Sequence, residues 1–167
     1  ADCGCEDVEE TGTTFIENAI LKARAVAEHV DGSVLADDSG LEVDALGGAP
    51  GVYSARYAGE HGNNDSNIDK LLAALKGVPT AKRTARFHAM MVLMKHAQDP
   101  APEIFHGVWE GRILEARQGT GGFGYDPVFF APEKNVSAAE LDLDEKNILS
   151  HRGKALQKML TSLTRND

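Results

Sequence analysis

Cysteine is nearly absent from this chain: Cys3 and Cys5, one residue apart near the start, are the only two. A C-x-C pair is at best half of a metal site and no downstream cysteine completes it, so neither a disulfide framework nor a zinc module is expected. A reduced, disordered tail over residues 1–8 is the expectation instead. No apolar run approaches the length of a membrane span and no signal-peptide pattern opens the chain, which implies no membrane partner and a cytoplasmic location. Basic residues are in deficit, 17 Lys and Arg against 26 Asp and Glu, for a net charge of −9. That balance argues against nucleic acid or a membrane surface as partner. It leaves room for a small anionic substrate, which a few clustered cations and a metal can handle. Internal repeats and low-complexity linkers are also lacking. What remains is 167 residues, 42% hydrophobic and 26% charged, which fits one globular domain over 1–167 with a substantial core.

The hydrophobic pattern divides the chain into mixed α and β segments rather than strict βαβ alternation. Thr14 and Glu17 have capping-box spacing, and a helical stripe from Phe15 continues to about Val30. Val34–Ala36 and Leu41–Ala45 read as two short strands separated by an acidic turn. Asn64–Lys76 reads as a helix with Ile68, Leu71, Leu72 and Leu75 inward, stopped by Gly77 and Pro79. Arg86–His96, with Phe87, Ala89, Met91 and Leu93 on one face, then Glu103–Trp109, a bend at Gly111 and Arg112–Ala116 read as a long antiparallel hairpin or meander. A short strand over Val128–Phe130, a capping box at Ser137–Glu140 for a short helix, and a helix after His151, with Leu156, Met159, Leu160 and Leu163 as its apolar face, complete the pattern.

The most informative string runs from Ala36 to Gly59. It sets Asp37 and Asp38 side by side at the end of an apolar strand, follows them with Ser39, and adds a glycine-rich bend at 47–51. Carboxylates this close repel one another unless a cation or a shared proton relieves them, and hard oxygens suit Mg²⁺. Asp-Asp-Ser-Gly is equally ordinary turn chemistry, so the string alone supports both readings. A second string, Gly121-Gly-Phe-Gly-Tyr-Asp-Pro127, lets backbone approach a ligand and offers Phe123 as a stacking face or as core filler. Ser39 has no histidine in triad order and is not a nucleophile. His61, His88, His96 and His106 form no ligand-like group.

Taken together, four separated segments resemble the inosine-triphosphate pyrophosphatase family: Glu9–Ala25, Ala36–Gly59, Gly119–Phe130 and Ser150–Leu156. The family's opening strand and its Ser/Thr-Gly-Asn-x-x-Lys phosphate loop have no match in this sequence. The resemblance implies an elongated two-lobed α/β fold, with a long twisted mixed sheet flanked by helices and the active site in the cleft between lobes. It implies hydrolysis of dITP, ITP and XTP to the monophosphate and pyrophosphate. Asp38 would be the catalytic base and, with Glu10, would hold Mg²⁺; Asp37 would be a second ligand or an orienting neighbour. Lys22 and Ser39 would contact phosphates, Phe123, Gly124 and Tyr125 the base, and Asp126, Lys146, His151 and Arg152 the sugar and base. Tyr125 could equally be packing. Donors at position 6 favour a keto purine over adenine, by up to about 10⁴-fold when adenine leaves them unpaired. A homodimer is also implied, with the hairpin from Arg86 to Trp109 as a candidate contributor. Alternatives are a truncated purine-nucleotide-binding protein with little hydrolysis, or an interaction protein with a relic pocket.

Overall fold

In the computed structural model the described residues are 8–165, so Cys3, Cys5 and all of the expected tail except Val8 lie outside them. Three long strands organise the rest: β1 (Val34–Val43), β2 (Thr84–Met94) and β3 (Glu103–Ile113). Two short ones, β4 (Phe129–Ala131) and β5 (Val136–Ser137), extend the sheet in the order β1-β2-β3-β4-β5. Four helices flank it: α1 (Phe15–Ala27), α2 (Asn64–Ala74), α3 (Leu143–Leu149) and α4 (His151–Leu163). The class is the mixed α/β one expected. Every described pairing is antiparallel, however, so the parallel component of the expected mixed sheet has no counterpart among these residues.

The acidic turn is corrected. β1 runs unbroken through it, in register from Val34 opposite Met94 to Val43 opposite Ala85, so Asp37 and Asp38 sit in mid-strand. The ladder offered by β2 satisfies backbone groups that a turn would leave to side chains and water. The expected bend at Gly111 is likewise absent. That residue stays paired with Ala85, and its missing side chain admits β4: a Cβ there would lie 2.4 Å from the Phe130 carbonyl oxygen.

The helices follow their sequence signals more closely. Thr14 and Glu17 form the capping box of α1, and the helix ends before the Asp31-Gly32 turn rather than at Val30. Ile68, Leu71 and Leu75 of the α2 segment are fully buried, while Leu72 is half-buried. The Ser137–Glu140 box forms but caps only a single 3₁₀ turn. Ser150 caps α4 by accepting from the Gly153 amide at 3.1 Å. The apolar face expected of α4 is corrected in part: Met159 packs inward, but Leu156, Leu160 and Leu163 stay 40%, 53% and 42% exposed, and Ala155 is fully buried. Gly107 explains the choice. A Cβ on it would stand 1.9 Å from the His151 carbonyl oxygen, so α4 lies too close to β3 for a leucine at the contact.

Apolar side chains gather at the two ends of the hairpin. At one end Leu41, Val43, Phe87, Trp109 and Phe129 pack with α2. Burying each of these larger side chains contributes about 1.5–3 kcal/mol. At the other end, Val34, Val92 and Met94 pack under α1 on one face of the sheet, and Met91 and Phe105 under α4 on the opposite face. The Phe87-Ala89-Met91 face, a candidate for contact between copies, is therefore covered within the chain itself. Asp37 and Asp38 fall between the two ends.

Candidate active site

Side chains alternate across a strand, so neighbours in β1 belong to different faces. Val34, Ala36, Asp38 and Glu42 face the α1 side; Leu35, Asp37, Ser39, Leu41 and Val43 face the other. Asp37 and Asp38 thus point to opposite sides of the sheet from the middle of a strand rather than lying side by side at its end. The two carboxylates that do meet are Asp38 and Glu10, brought together by Lys22 of α1. Its Nζ lies 2.8 Å from Asp38 Oδ1 and 3.1 Å from Glu10 Oε1. Arg56 adds a second cation, 3.0 Å from Glu10 Oε2.

Burial sets the tone of this cluster. It raises the Asp38 carboxyl above the usual carboxylate range; the bond to Lys22 opposes that lift without cancelling it, and Glu10 adds to it. Burial acts the same way on Glu10, but Lys22 and Arg56 more than offset it, and Glu10 lies below its ordinary value. Lys22 is disfavoured as a cation by burial and still held above its ordinary value by the two carboxylates. The second oxygen of Asp38 is buried with no partner among the described residues. Two hard carboxylates, one with free buried lone pairs, fit a divalent cation that takes its remaining ligands from water and phosphate. No group of three or more His, Cys, Asp or Glu forms a protein-only metal cage among the described residues.

The opposite face of β1 opens into a cavity of about 590 Å³ lined by Ser39, Phe123, Gly124, Tyr125, Asp126, Lys146, His151 and Arg152, among others. Glycine shapes its floor: Gly122 has φ of +74°, and a Cβ there would lie 2.1 Å from Asp126 Oδ2. That approach lets Asp126 accept from the Phe123 amide at 2.7 Å and pair with Lys146. Phe123 is 57% exposed, with Lys146 Nζ 5.0 Å and Arg152 Cζ 5.3 Å from its ring centre. Tyr125 is buried, and its hydroxyl donates to the Ser54 carbonyl at 2.8 Å. Burial pushes that phenol up, so it stays protonated and braces the wall. His151 stacks on Phe87, with ring centres 4.8 Å apart. Burial first, then Arg152 and Lys146, push His151 down to about 3, so it is neutral, and its Nδ1 is buried without a partner among the described residues.

Glu10, Lys22 and Asp38 do not line this cavity. Asp38 stands one residue from Ser39 along β1, on its other face, with Glu10 and Lys22 gathered on that side. β1 is an edge strand whose outer side pairs only at Glu42 with Pro50 among the described residues, so both faces meet along that edge. Arg56 and Phe87 were missed as site residues. Arg56 lay within the Ala36–Gly59 string without being singled out, and Phe87 was read as core, which it also is. His88 binds His106 at 2.9 Å and Glu42 at 2.8 Å on the α1 side, away from the cavity.

The sequence profile of the Ham1 family matches residues 2–162. A dITP/XTP pyrophosphatase of Vibrio parahaemolyticus is 60% identical over 158 residues, 95% of this chain and 79% of the relative. Another, from Yersinia pseudotuberculosis, is 56% identical over 162 residues, 97% of this chain and 82% of the relative. Among solved structures, a HAM1 protein from Coxiella burnetii superposes with a TM-score of 0.93 at 50% identity, covering 98% of this chain and 83% of that one. The Staphylococcus aureus Ham1 protein gives 0.90 at 42% identity, covering 97% and 82%.

Proposed function

The chain belongs to the Ham1 family, and from that premise we propose that it is a nucleoside-triphosphate pyrophosphatase. It hydrolyses non-standard purine nucleoside triphosphates (dITP, ITP and XTP) to the monophosphate and pyrophosphate, cleansing the nucleotide pool. One observation carries the reading. A cavity with an aromatic platform and a ring of donors abuts, across one edge strand, a carboxylate pair, one member buried, held by two cations.

In this arrangement the purine stacks on Phe123, and Gly124 and Tyr125 close around it. Lys146, His151 and Arg152 present donors to its edge and to the sugar, beside Asp126. A keto oxygen satisfies those donors; the amino group of adenine faces them donor to donor. The triphosphate crosses the free edge of β1, where Ser39 and Lys22 hold phosphoryl oxygens. Asp38 takes the proton of the attacking water. Its burial keeps bulk water from competing for that proton. Glu10 and Asp38 would hold Mg²⁺, which when bound neutralises charge on the transferring phosphoryl group. A homodimer, a cytoplasmic location and no nucleic-acid or membrane partner complete the proposal. No described helix is long and apolar enough to cross a membrane.

Pyrophosphate release from ITP and from ATP, each with Mg²⁺ and with EDTA, tests the reading on the wild type and on Asp38→Asn. Mg²⁺-dependent release from ITP, weak release from ATP and near-complete loss in Asp38→Asn are expected. Undiminished turnover in Asp38→Asn would overturn the assignment of the base.

A further inference from the structure

Asp37 takes no part in the hydrolytic chemistry above, yet strand alternation delivers it to the cavity side. One of its oxygens, Oδ2, receives three bonds: from Arg152 Nη2 at 3.1 Å, from Arg152 Nε at 3.2 Å and from Ser39 Oγ at 3.2 Å. We propose that Asp37 is a positioning residue for substrate selection, holding the Arg152 guanidinium beside Phe123 so that its outer edge meets the edge of the purine. The inference rests on the purine-pocket reading above and adds the group that aims its arginine.

Three features argue for this role. The grip on Nε and Nη2 uses one side of the guanidinium fork and leaves Nη1 with no protein partner among the described residues, free for a base carbonyl. The pair is also half-open to water, with side chains 42% and 39% exposed, and such pairs add little to stability. Fold maintenance therefore does not account for it, whereas holding a long side chain ready for a ligand does, because less rotamer freedom is lost on binding. Finally, the arrangement is repeated beside the same ring: Asp126 binds Lys146 as Asp37 binds Arg152, and both cations stand within 5.3 Å of the Phe123 ring centre. Phe123 thus has two cations near it, each held by its own carboxylate. Ser39 fixes Asp37 in turn, which ties the aim of Arg152 to the backbone of β1.

Steady-state kinetics with ITP and ATP separate this role from a hydrolytic or structural one. In Asp37→Ala, KM for ITP should rise about tenfold with kcat within about twofold of wild type, the loss expected for a charged hydrogen bond discounted for its exposure. The preference for ITP over ATP should fall by a similar factor, and Asp37→Asn should recover part of both. The Mg²⁺ dependence and the thermal midpoint should stay at wild-type values. In an Arg152→Ala background, Asp37→Ala should add nothing, since the two act as a unit. Unchanged KM and selectivity in Asp37→Ala, or additive losses in the double variant, would overturn the inference. A collapse of kcat with a shifted Mg²⁺ requirement would also overturn it, by moving Asp37 to the hydrolytic side. A wild type that does not prefer ITP over ATP would remove the purine-pocket reading itself, a result distinct from any of these.

Discussion

The two faces of β1 differ in what they hold before any ligand arrives. On the α1 side, Glu10 and Asp38 are matched by Lys22 and Arg56, so two negative charges meet two positive ones and Asp38 Oδ2 alone of their oxygens has no partner among the described residues. On the cavity side the groups are left partly unspent: Phe123 is more than half exposed, His151 Nδ1 has no partner among the described residues, and the Arg152 fork is used on one edge only. The first face resembles a finished reaction chamber and the second an empty mould. Buried charge must be compensated in the free protein or it destabilises the fold, whereas donors around a solvated cavity can wait on water. The same strand thus serves chemistry and recognition under different electrostatic rules.

The largest effect should come from breaking the hydrolytic face alone. Asp38→Asn should lower kcat by about 10³-fold or more, the scale of losing a group that acts on the reacting atoms. ITP binding measured calorimetrically should change little; parallel loss of binding would show that the faces are not separable. Gly107→Ala attacks the scaffold of the other face, because its methyl group would meet the α4 backbone at 1.9 Å. A loss of about 3 kcal/mol in denaturant-monitored stability is expected, at the upper end of overpacking costs.

Next in size is a pH effect carried by His151. Its folded-state value of about 3 lies below the unfolded 6.5, so the unfolded chain takes up the proton first as pH falls. The stability tied to the neutral ring is complete above pH 6.5 and is lost as pH drops toward 3. His151→Gln should flatten that slope in acid titrations of stability, while an unchanged slope would place the proton elsewhere. Phe123→Ala should raise KM for ITP about tenfold with kcat nearly kept, within the range of one base–aromatic stack. The smallest effect is expected at the outer face of α4: Leu160→Gln should shift stability by no more than about 0.5 kcal/mol, since that side chain is half exposed.

Much of this was legible in the sequence where the determining interactions are local. The Thr14–Glu17 box, the stripe of α2 and the glycines around Phe123 all act over a few residues, and each appears where the pattern placed it. The candidate site residues on the cavity side converge because one loop and one helix start carry most of them. What was not legible depends on partners far along the chain. The continuity of β1 is imposed by β2, some fifty residues later, so Asp37 and Asp38 read locally as a turn. The leucines of α4 read as a core face because Gly107, on β3, is what forces alanine inward instead. α3 was not anticipated: it has only seven residues, too few for a helical period to register. Arg56 gave no signal as a lone cation until the fold set it against Glu10.

The unbroken pairing of β1 makes the spelling Asp-Asp more demanding than its composition suggests. Two consecutive acids are the shortest way to put one on each side of a wall a single strand thick. Inserting one residue ahead of them would trade their sides if the upstream pairing held, and the same slip would turn Leu41 and Val43 to the opposite face. Inserting two would restore the parity. This stretch of the gene should therefore forgive many substitutions before it forgives a single inserted codon.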